Sequence, residues 1–491
     1  MAEKKTKISK KLSENLLIIK DRVDGPKTFD FINRDFKIGH KDVSLIFIDG
    51  LTNGDLINRI MEYLMETQPE DLSVDAIKKL LESRVTIHEV ALVDNINDLM
   101  NEVLAGPQAL LIEGEDKAII IDARTWMSRG PQEPELEKVT RGPEDGFIET
   151  MLFNLQMIRR RIRDPKLRAE ALRAGKRSQN DIAVIYIEDI ADPELVEEVK
   201  TKIEEIDVDG LPLADRTVQD FLTGDTINPL PKIRYSNRPD IVSAHLFEGK
   251  ICVLVDNSPT ALLLPATFFD HTQTLEDYRQ STITGTYLSL LRFFAIFLSL
   301  ILPPLWLTLA YGPEWLPKSL DFIGAEELGK VPIGIQFILA TLGIDLVRMA
   351  SIQTPSSLAT SLGLIGALML GEFAVKVGVF SPETILYMAI GGISNFVIPG
   401  YELALTIKLL RLFLIISVIY FRLPGLIIGL MLIFLLFAFS NSFGIPYLWP
   451  LVPFNWQALK TYIFRQSILT LRKRRPNIRH VKDKTRKESN K

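Results

Sequence analysis

Cysteine is nearly absent: one residue, Cys252, in 491. A single thiol excludes an intramolecular disulfide and any site built on a cysteine pair, and it fits a reducing compartment for the soluble part. Histidine is almost as scarce. His40, His88, His245, His271 and His480 are scattered singly, and each reads as structural rather than catalytic. There is no G-x-x-x-x-G-K-[ST] phosphate loop, no H-E-x-x-H and no G-x-S-x-G, so phosphate-cradle, zinc-hydrolase and nucleophile-elbow chemistries have no residues to run on. The expectation is a protein that is not an enzyme, with no cofactor and no metal. Met1 to Lys11 is lysine-rich without an apolar core behind it, so no cleavable signal peptide is expected.

Charge is missing too, but only regionally. Overall composition is ordinary, 47% hydrophobic and 24% charged with a mean hydropathy of +0.15. Residues 1–280 hold 37 Lys/Arg against 51 Asp/Glu, residues 281–471 hold 10 against 8, and the last twenty hold 10 against 2. An acidic region, a nearly charge-free region and a basic tail follow one another. That layout excludes a simple soluble enzyme and leaves no large nucleic-acid surface.

The charge-free region is long enough for membrane crossings. Phe293 to Tyr311 has nineteen uncharged residues, extended by Thr286 to Arg292, which suffices for a hydrocarbon core of roughly 30 Å at about 1.5 Å per residue. Pro303 and Pro304 lie inside it. They should kink or break the helix unless neighbours satisfy the freed carbonyls, as a packing kink or as a gating hinge. Leu423 to Leu459 carries no charge, and its first part, Leu423 to Phe439, is a second span. Leu403 to Phe421 is a third, joined to it through a tight turn at Arg422-Leu423-Pro424. Leu358 to Phe380 and Thr384 to Ile398 are further candidates, separated by Ser381-Pro382-Glu383, and Val331 to Ala350 crosses, re-enters or lies flat. The basic tail, Lys408/Arg411 and the lysine-rich start put both termini in the cytoplasm, which requires an even number of crossings, four or six.

Within these spans Gly363, Ala367 and Gly371 recur every four residues, marking a face for close helix packing. Leucine at Gly363 or Gly371 should disrupt the bundle, and at Gly429 it should be milder. Glu372/Lys376 and Asp345/Arg348 have the spacing of pairs along one helix. Such groups either fix helix register or line an ion path.

In the soluble half, Val43 to Ile48 reads as a strand, Gly54 to Met65 as a helix, Thr86 to Val93 as a strand and Asn95 to Ala105 as a helix. A hairpin around Gly114 joins Ala109 to Glu113 with Lys117 to Asp122. A second unit follows: strand Ile182 to Glu188, helices Asp192 to Ile206 and Ala214 to Leu222, strand Lys250 to Asp256. Between them Met157 to Arg177 is arginine-rich, a solvated helix face or a dock for acidic surfaces. The fold class is therefore α/β plus membrane α-helical: a two-lobed cytoplasmic α/β domain followed by a multi-span transmembrane helical bundle. The expected domains are 1–150 (lobe 1), 151–280 (arginine-rich connector and lobe 2), 281–460 (transmembrane helices) and 461–491 (basic cytoplasmic tail).

Two stretches carry a family resemblance. Arg129-Gly-Pro-Gln-Glu-Pro-Glu-Leu-Glu137, then Arg141-Gly-Pro-Glu-Asp-Gly-Phe147 with Glu149 and Asn154, resembles the cytoplasmic signature of the GerA-type A-subunit family of endospore germination proteins. Gly363-Leu-Ile-Gly-Ala-Leu-Met-Leu-Gly-Glu-Phe-Ala-Val375, Ser381-Pro382 and Phe443-Gly-Ile-Pro-Tyr-Leu-Trp-Pro450 follow in family order. Gly371-Glu372 and Ile344-Asp345-Leu-Val-Arg348-Met349-Ala350-Ser351 depart from the nutrient-receptor members and point to a branch apart from direct nutrient sensing. The resemblance implies the spore inner membrane, a ring-shaped homo-oligomer, a pentamer, that conducts ions, and other membrane germination proteins and the lipid bilayer as partners. A non-conducting scaffold that clusters germinant receptors is the alternative. Arg129 and Arg141 flank Glu133, Glu135 and Glu137, so an arginine–carboxylate network at the lobe junction is expected, with Arg129, Glu133, Glu137 and Arg141 as junction or subunit-contact residues.

Overall fold

The computed structural model describes residues 6–67, 76–83, 90–124, 137, 139–224, 227–312, 329–353 and 374–466. These fall into two compact units, one made of residues up to 224 with 235–265, the other of 227–234 with 266–466.

The first unit holds two lobes. The first runs α1 (Leu12–Val23), β1 (Phe31–Ile38), β2 (Lys41–Ile48), α2 (Gly54–Met65), α3 (Ala76–Ser83), β3 (Val90–Val93), α4 (Ile96–Ala105), β4 (Gln108–Ile112) and β5 (Ala118–Ile121). Its sheet has the order β1-β2-β4-β5-β3, with β1 and β2 an antiparallel hairpin pairing Phe31 with Ile48 and Ile38 with Lys41. Alternation along the strands sends apolar side chains to both faces. Ile46, Ile48, Ala109 and Leu111 pack with α1 and α4, while Val43, Leu45, Leu110 and Ile112 pack with Ile57, Ile60 and Leu64 of α2. The helices start where side chains satisfy their first free N–H groups: Asn53 Oδ1 accepts from Leu56 N at 3.1 Å and Asn95 Oδ1 from Asp98 N at 2.9 Å.

The second lobe repeats the first element for element: α5 (Met151–Arg161), β6 (Leu167–Ala174), β7 (Asn180–Ile187), α6 (Pro193–Glu204), α7 (Asp215–Thr223), β8 (Arg234–Ser236), α8 (Pro239–Phe247), β9 (Ile251–Val255) and β10 (Ala261–Leu264). The strand order β6-β7-β9-β10-β8 copies the first sheet position by position. The hydrogen bonds copy it too. Asn15 accepts from Ser9 N (2.8 Å) and donates to Ser9 O (2.6 Å); Asn154 does the same with Ile148 N and O, at 2.8 and 2.6 Å. Leu12 N donates to the Glu113 carboxylate as Met151 N does to Asp256. Gly114 N to Lys10 O matches Asn257 N to Glu149 O, and both Gly114 and Asn257 have positive φ. The buried residues Ile8, Leu12, Ile19 and Val23 correspond to Phe147, Met151, Ile158 and Ile162. The two lobes are an internal duplication of one αββααβαββ unit.

Four strands of the lobes, β1, β6, β8 and β10, are absent from the sequence expectation, and two of them show why. β1 is an edge strand with polar Asn33, Arg34, Asp35 and Lys37, so it shows no continuous apolar run. β6, Leu-Arg-Ala-Glu-Ala-Leu-Arg-Ala, is made of strong helix formers and still pairs along its whole length with β7. Pairing outweighs local propensity there. The arginine-rich stretch is therefore a helix followed by a strand, not one solvated helix.

The second unit begins with α9 (Phe268–His271) and α10 (Leu275–Arg279), followed by α11 (Thr282–Tyr311), α12 (Ile333–Gln353), α13 (Pro382–Phe396) and α14 (Tyr401–Phe439). Among the described residues three helices, α11, α12 and α14, are long and apolar enough to cross a membrane. α14 is two legs, because Arg422 leaves helical geometry at φ 51°, ψ −131°. The legs fold back on each other: a Cβ on Gly425 would stand 2.1 Å from Ser417 O, and one on Gly429 2.7 Å from Leu414 Cδ2. This is the hairpin expected at Arg422-Leu423-Pro424. Gly429 is thus a close-packed position, contrary to the milder effect expected there. Its neighbours in sequence are lipid-like, but its own face meets the other leg. Beyond Phe439 the uncharged stretch leaves the helix for a short hairpin, β11 (Asn441–Ser442) with β12 (Ile445–Pro446), and then α15 (Trp456–Ile463).

The helices lie in layers. Trp306, Phe337, Met388 and Ile415 share one apolar cluster; Ile296, Ile398, Leu403 and Leu410 share another. α13 therefore runs opposite to α11 and to the first leg of α14, and so does α12, whose Gly334 lies against Tyr311 and Ile419 while Asp345 meets Lys408. Residues 227–234 pack into the second cluster through Leu230, and Thr406 Oγ1 donates to Pro229 O.

Candidate functional site

One group of polar residues in the helical unit meets halfway along it, and the reason starts at Pro303. Proline has no N–H, so the carbonyl four residues earlier, Ser299 O, loses its helical partner. α11 nevertheless continues as one helix from Thr282 to Tyr311. Arg411, on the first leg of α14 and 2% exposed, places Nη1 3.4 Å from that carbonyl. Ser299 Oγ donates to Asn395 Oδ1 of α13 at 3.1 Å. The approach is close because α13 carries Gly391 here, where a Cβ would stand 2.9 Å from Pro303 Cγ and 3.1 Å from Arg411 Nη1. Thr308 Oγ1 donates back to Pro304 O at 2.8 Å. A neighbouring helix answers Pro303, and α11 runs on as one helix through both prolines.

One turn before Arg411, Lys408 Nζ lies 2.8 Å from Asp345 Oδ1 of α12, with the two side chains 17% and 27% exposed. The expected Asp345–Arg348 pair is corrected by this contact: Asp345 reaches across to α14, and the Arg348 guanidinium lies over the Tyr401 ring, 4.8 Å from its centroid. Helix-to-helix packing brings Lys408 closer than the same-helix partner. Asp345, Lys408, Arg411, Ser299 and Asn395 thus form one polar cluster shared by four helical legs. From the sequence, Lys408 and Arg411 bear on orientation alone. The signal for Arg411 was Pro303, which demands a donor from elsewhere. The Arg411 Nε has no hydrogen-bond partner among the described residues.

Other expected residues are placed less fully. Gly363, Ala367, Gly371 and Glu372 lie outside the described residues, and exposed Lys376 sits in the helical turn Ala374–Lys376. The Glu372–Lys376 pairing therefore lies outside them as well.

In the first unit, Arg129 and Glu133 are outside the described residues. The Glu137 carboxylate accepts from Ser236 Oγ at 2.6 Å, and Arg141 is exposed, with no ion pair among the described residues. Most of the expected network, Arg129, Glu133 and Glu135, lies outside the described residues; within them the arginine that grips this stretch is Arg238, fully buried, donating to Pro143 O (3.0 Å) and Glu137 O (3.4 Å) and bidentate on Asp240 (3.1 and 2.9 Å). Asp145 pairs with Arg161 at 2.6 Å, Phe147 is buried, and Phe147 N donates to Asn237 O. The lobes are joined by Arg159, bidentate on Asp30 with both bonds at 2.8 Å and both residues buried. Arg168 Nη1 adds a 2.7 Å bond to Val23 O. The motif around residues 141–154 is thus a latch that binds the connector onto the second lobe. Among the described residues no group of three or more His, Cys, Asp or Glu is placed to hold a metal ion.

An α/β double lobe followed by a helical membrane unit with an internal charge cluster defines a class, and comparison supplies the family. The family model described as Bacillus/Clostridium GerA spore germination protein matches residues 18–478. The chain belongs to the GerA family of spore germination proteins. It is 40% identical over 488 residues to stage V sporulation protein AF of Bacillus subtilis (strain 168), covering 99% of each chain. It is 30% identical to spore germination protein KA of the same organism, covering 94% of this chain and 86% of that one. The crystal structure of the N-terminal domain of the A subunit of the Bacillus megaterium spore germinant receptor GerK3 matches at 27% identity and TM-score 0.44, over 54% of this chain and 99% of that one.

Proposed function

We propose that this chain is a non-enzymatic subunit of a homo-oligomeric channel, a pentamer by family resemblance, that releases monovalent cations across the endospore inner membrane during germination, alongside other membrane germination proteins. The observation that supports it most is the accessible flank of the Asp345–Lys408 pair, which keeps 27% and 17% of its side-chain surface open midway along crossing helices. A charged group facing acyl chains costs a few kcal/mol, about 2.5–3.5 on insertion scales. That flank therefore faces water or another copy, and a ring of copies around an ion path supplies both. Leu342, Leu346 and Met349 on α12 are also exposed in the single chain, as a subunit surface requires.

The helix directions agree with both termini lying on the cytoplasmic side. α11 and the first leg of α14 run one way; α12, α13 and the second leg run the other. Residues 378–381 meet the start of α12, through Lys330 N to Gly378 O and Ser381 N to Gln336 Oε1. The expectation of four or six crossings stands, with residues 354–373 outside the described residues.

The test is the mass of the full chain in lipid nanodiscs, with potassium flux from proteoliposomes. A single oligomer that conducts is expected, and a monomer without flux contradicts the reading. A scaffold is the second reading. The direct 2.8 Å pair and the Arg411 contact favour it, since both fix helix register; a stable oligomer without flux would establish it.

A further inference from the structure

The chain after α14 stays in the second unit and does two things at once. α15 turns Ala458, Leu459 and Tyr462 inward against Trp449, Ile445 and Phe269. The turn leading into it presents the opposite character outward: Phe454 is 67% exposed and Trp456 56%, beside exposed Leu451. The last turn of α14 lies at the same end of the unit, where Phe437 meets Phe268 with ring centroids 5.8 Å apart, and its final residue, Phe439, is 79% exposed. The patch also lies level with the membrane entry of α11, because Phe269, against which α15 packs, touches Phe293 with ring centroids 5.9 Å apart. Beyond the patch come exposed Lys460 and, in sequence, Arg472-Lys473-Arg474-Arg475.

We propose that residues 451–460 form an in-plane anchor that seats in the headgroup–acyl boundary of the leaflet where α11 enters. Three features select lipid as the occupant. Aromatic rings favour that boundary. The patch lies at the level where the long apolar helices α11 and α14 begin and end. The cations that follow it match the charge of anionic headgroups, whose attraction acts on basic segments near the surface.

The test uses the full chain in vesicles of phosphatidylcholine and phosphatidylglycerol. Burial pushes the Cys252 thiol up and shields it from labelling. A Cys252→Ser background with Phe454→Cys or Trp456→Cys therefore takes a spin label at one place. Power saturation should show the label more accessible to oxygen than to an aqueous nickel chelate. Greater access to the chelate, or protection from both as in a protein interface, would overturn the proposal. A variant that keeps the aromatic ring guards against misfolding: Trp456→Phe should remove a fraction of the tryptophan fluorescence that phospholipid brominated near the glycerol end quenches. An unchanged quenched fraction would overturn it equally.

Discussion

If the two lobes are copies, equivalent residues should carry equivalent energies, and Asn15 and Asn154 provide the cleanest pair. Each is buried, 2% and 1% exposed, and each closes a two-bond ring on the backbone of the residue six earlier. Alanine at either position removes two hydrogen bonds, with a net contribution of about 1 kcal/mol each, and leaves a backbone N–H and C=O without their partner. The expected cost is about 2–3 kcal/mol per site, which for a lobe pair of this size lowers the melting temperature by roughly 4–10 °C. Aspartate should not rescue, because a carboxylate can accept from the N–H but cannot donate to the carbonyl. The assay is thermal unfolding of the full chain in detergent, followed by circular dichroism and by protease resistance of the α/β region. A large loss at one asparagine with less than about 0.5 kcal/mol at the other would refute the equivalence.

Three further outcomes follow from the packing. Gly429→Leu should reduce yield of folded protein sharply, since a Cβ there already meets Leu414; detergent-extracted material compared by size-exclusion profile gives the answer, and a wild-type profile would count against the hairpin. Arg159→Met strands Asp30 in the buried lobe junction at a cost of about 3–5 kcal/mol, read as early proteolysis between the lobes, whereas unaltered protease resistance would contradict the junction. Arg411→Met leaves the carbonyl that Pro303 frees, Ser299 O, without its donor at a cost of about 1–3 kcal/mol and should lower abundance; unchanged abundance would contradict the role given to this contact.

Much of the helical unit was legible because its signals are local. Arg422-Leu423-Pro424 marked the hairpin, and Ser381 before Pro382 marked the start of α13, where Ser381 Oγ accepts from Thr384 N. The duplication was not legible, because the two copies share roles rather than identities. Asn95 and Arg238 stand at matching helix starts and Glu113 and Asp256 at matching strand ends, while Asn15 and Asn154, like Ile19 and Ile158, keep both residue type and role. β6 was hidden by its composition, since nothing in Leu-Arg-Ala-Glu-Ala-Leu-Arg-Ala resists a helix until β7 lies beside it. The site was half legible. Asp345 was visible as a charge in an apolar run, but its partner depended on how α12 meets α14, which no spacing along one helix reveals.

The channel reading rests on the open flank of the Asp345–Lys408 pair, and ion selectivity tests it most directly. Asp345→Asn alone leaves Lys408 unpaired, at about 2–3 kcal/mol, and should lower abundance. Asp345→Asn with Lys408→Gln removes both charges and should restore abundance. The measurement is the reversal potential of the double variant in a planar bilayer under a potassium chloride gradient, beside the unaltered chain. The account predicts a normally abundant protein whose cation preference is shifted; a double variant equal to the unaltered chain in abundance, conductance and reversal potential would contradict it.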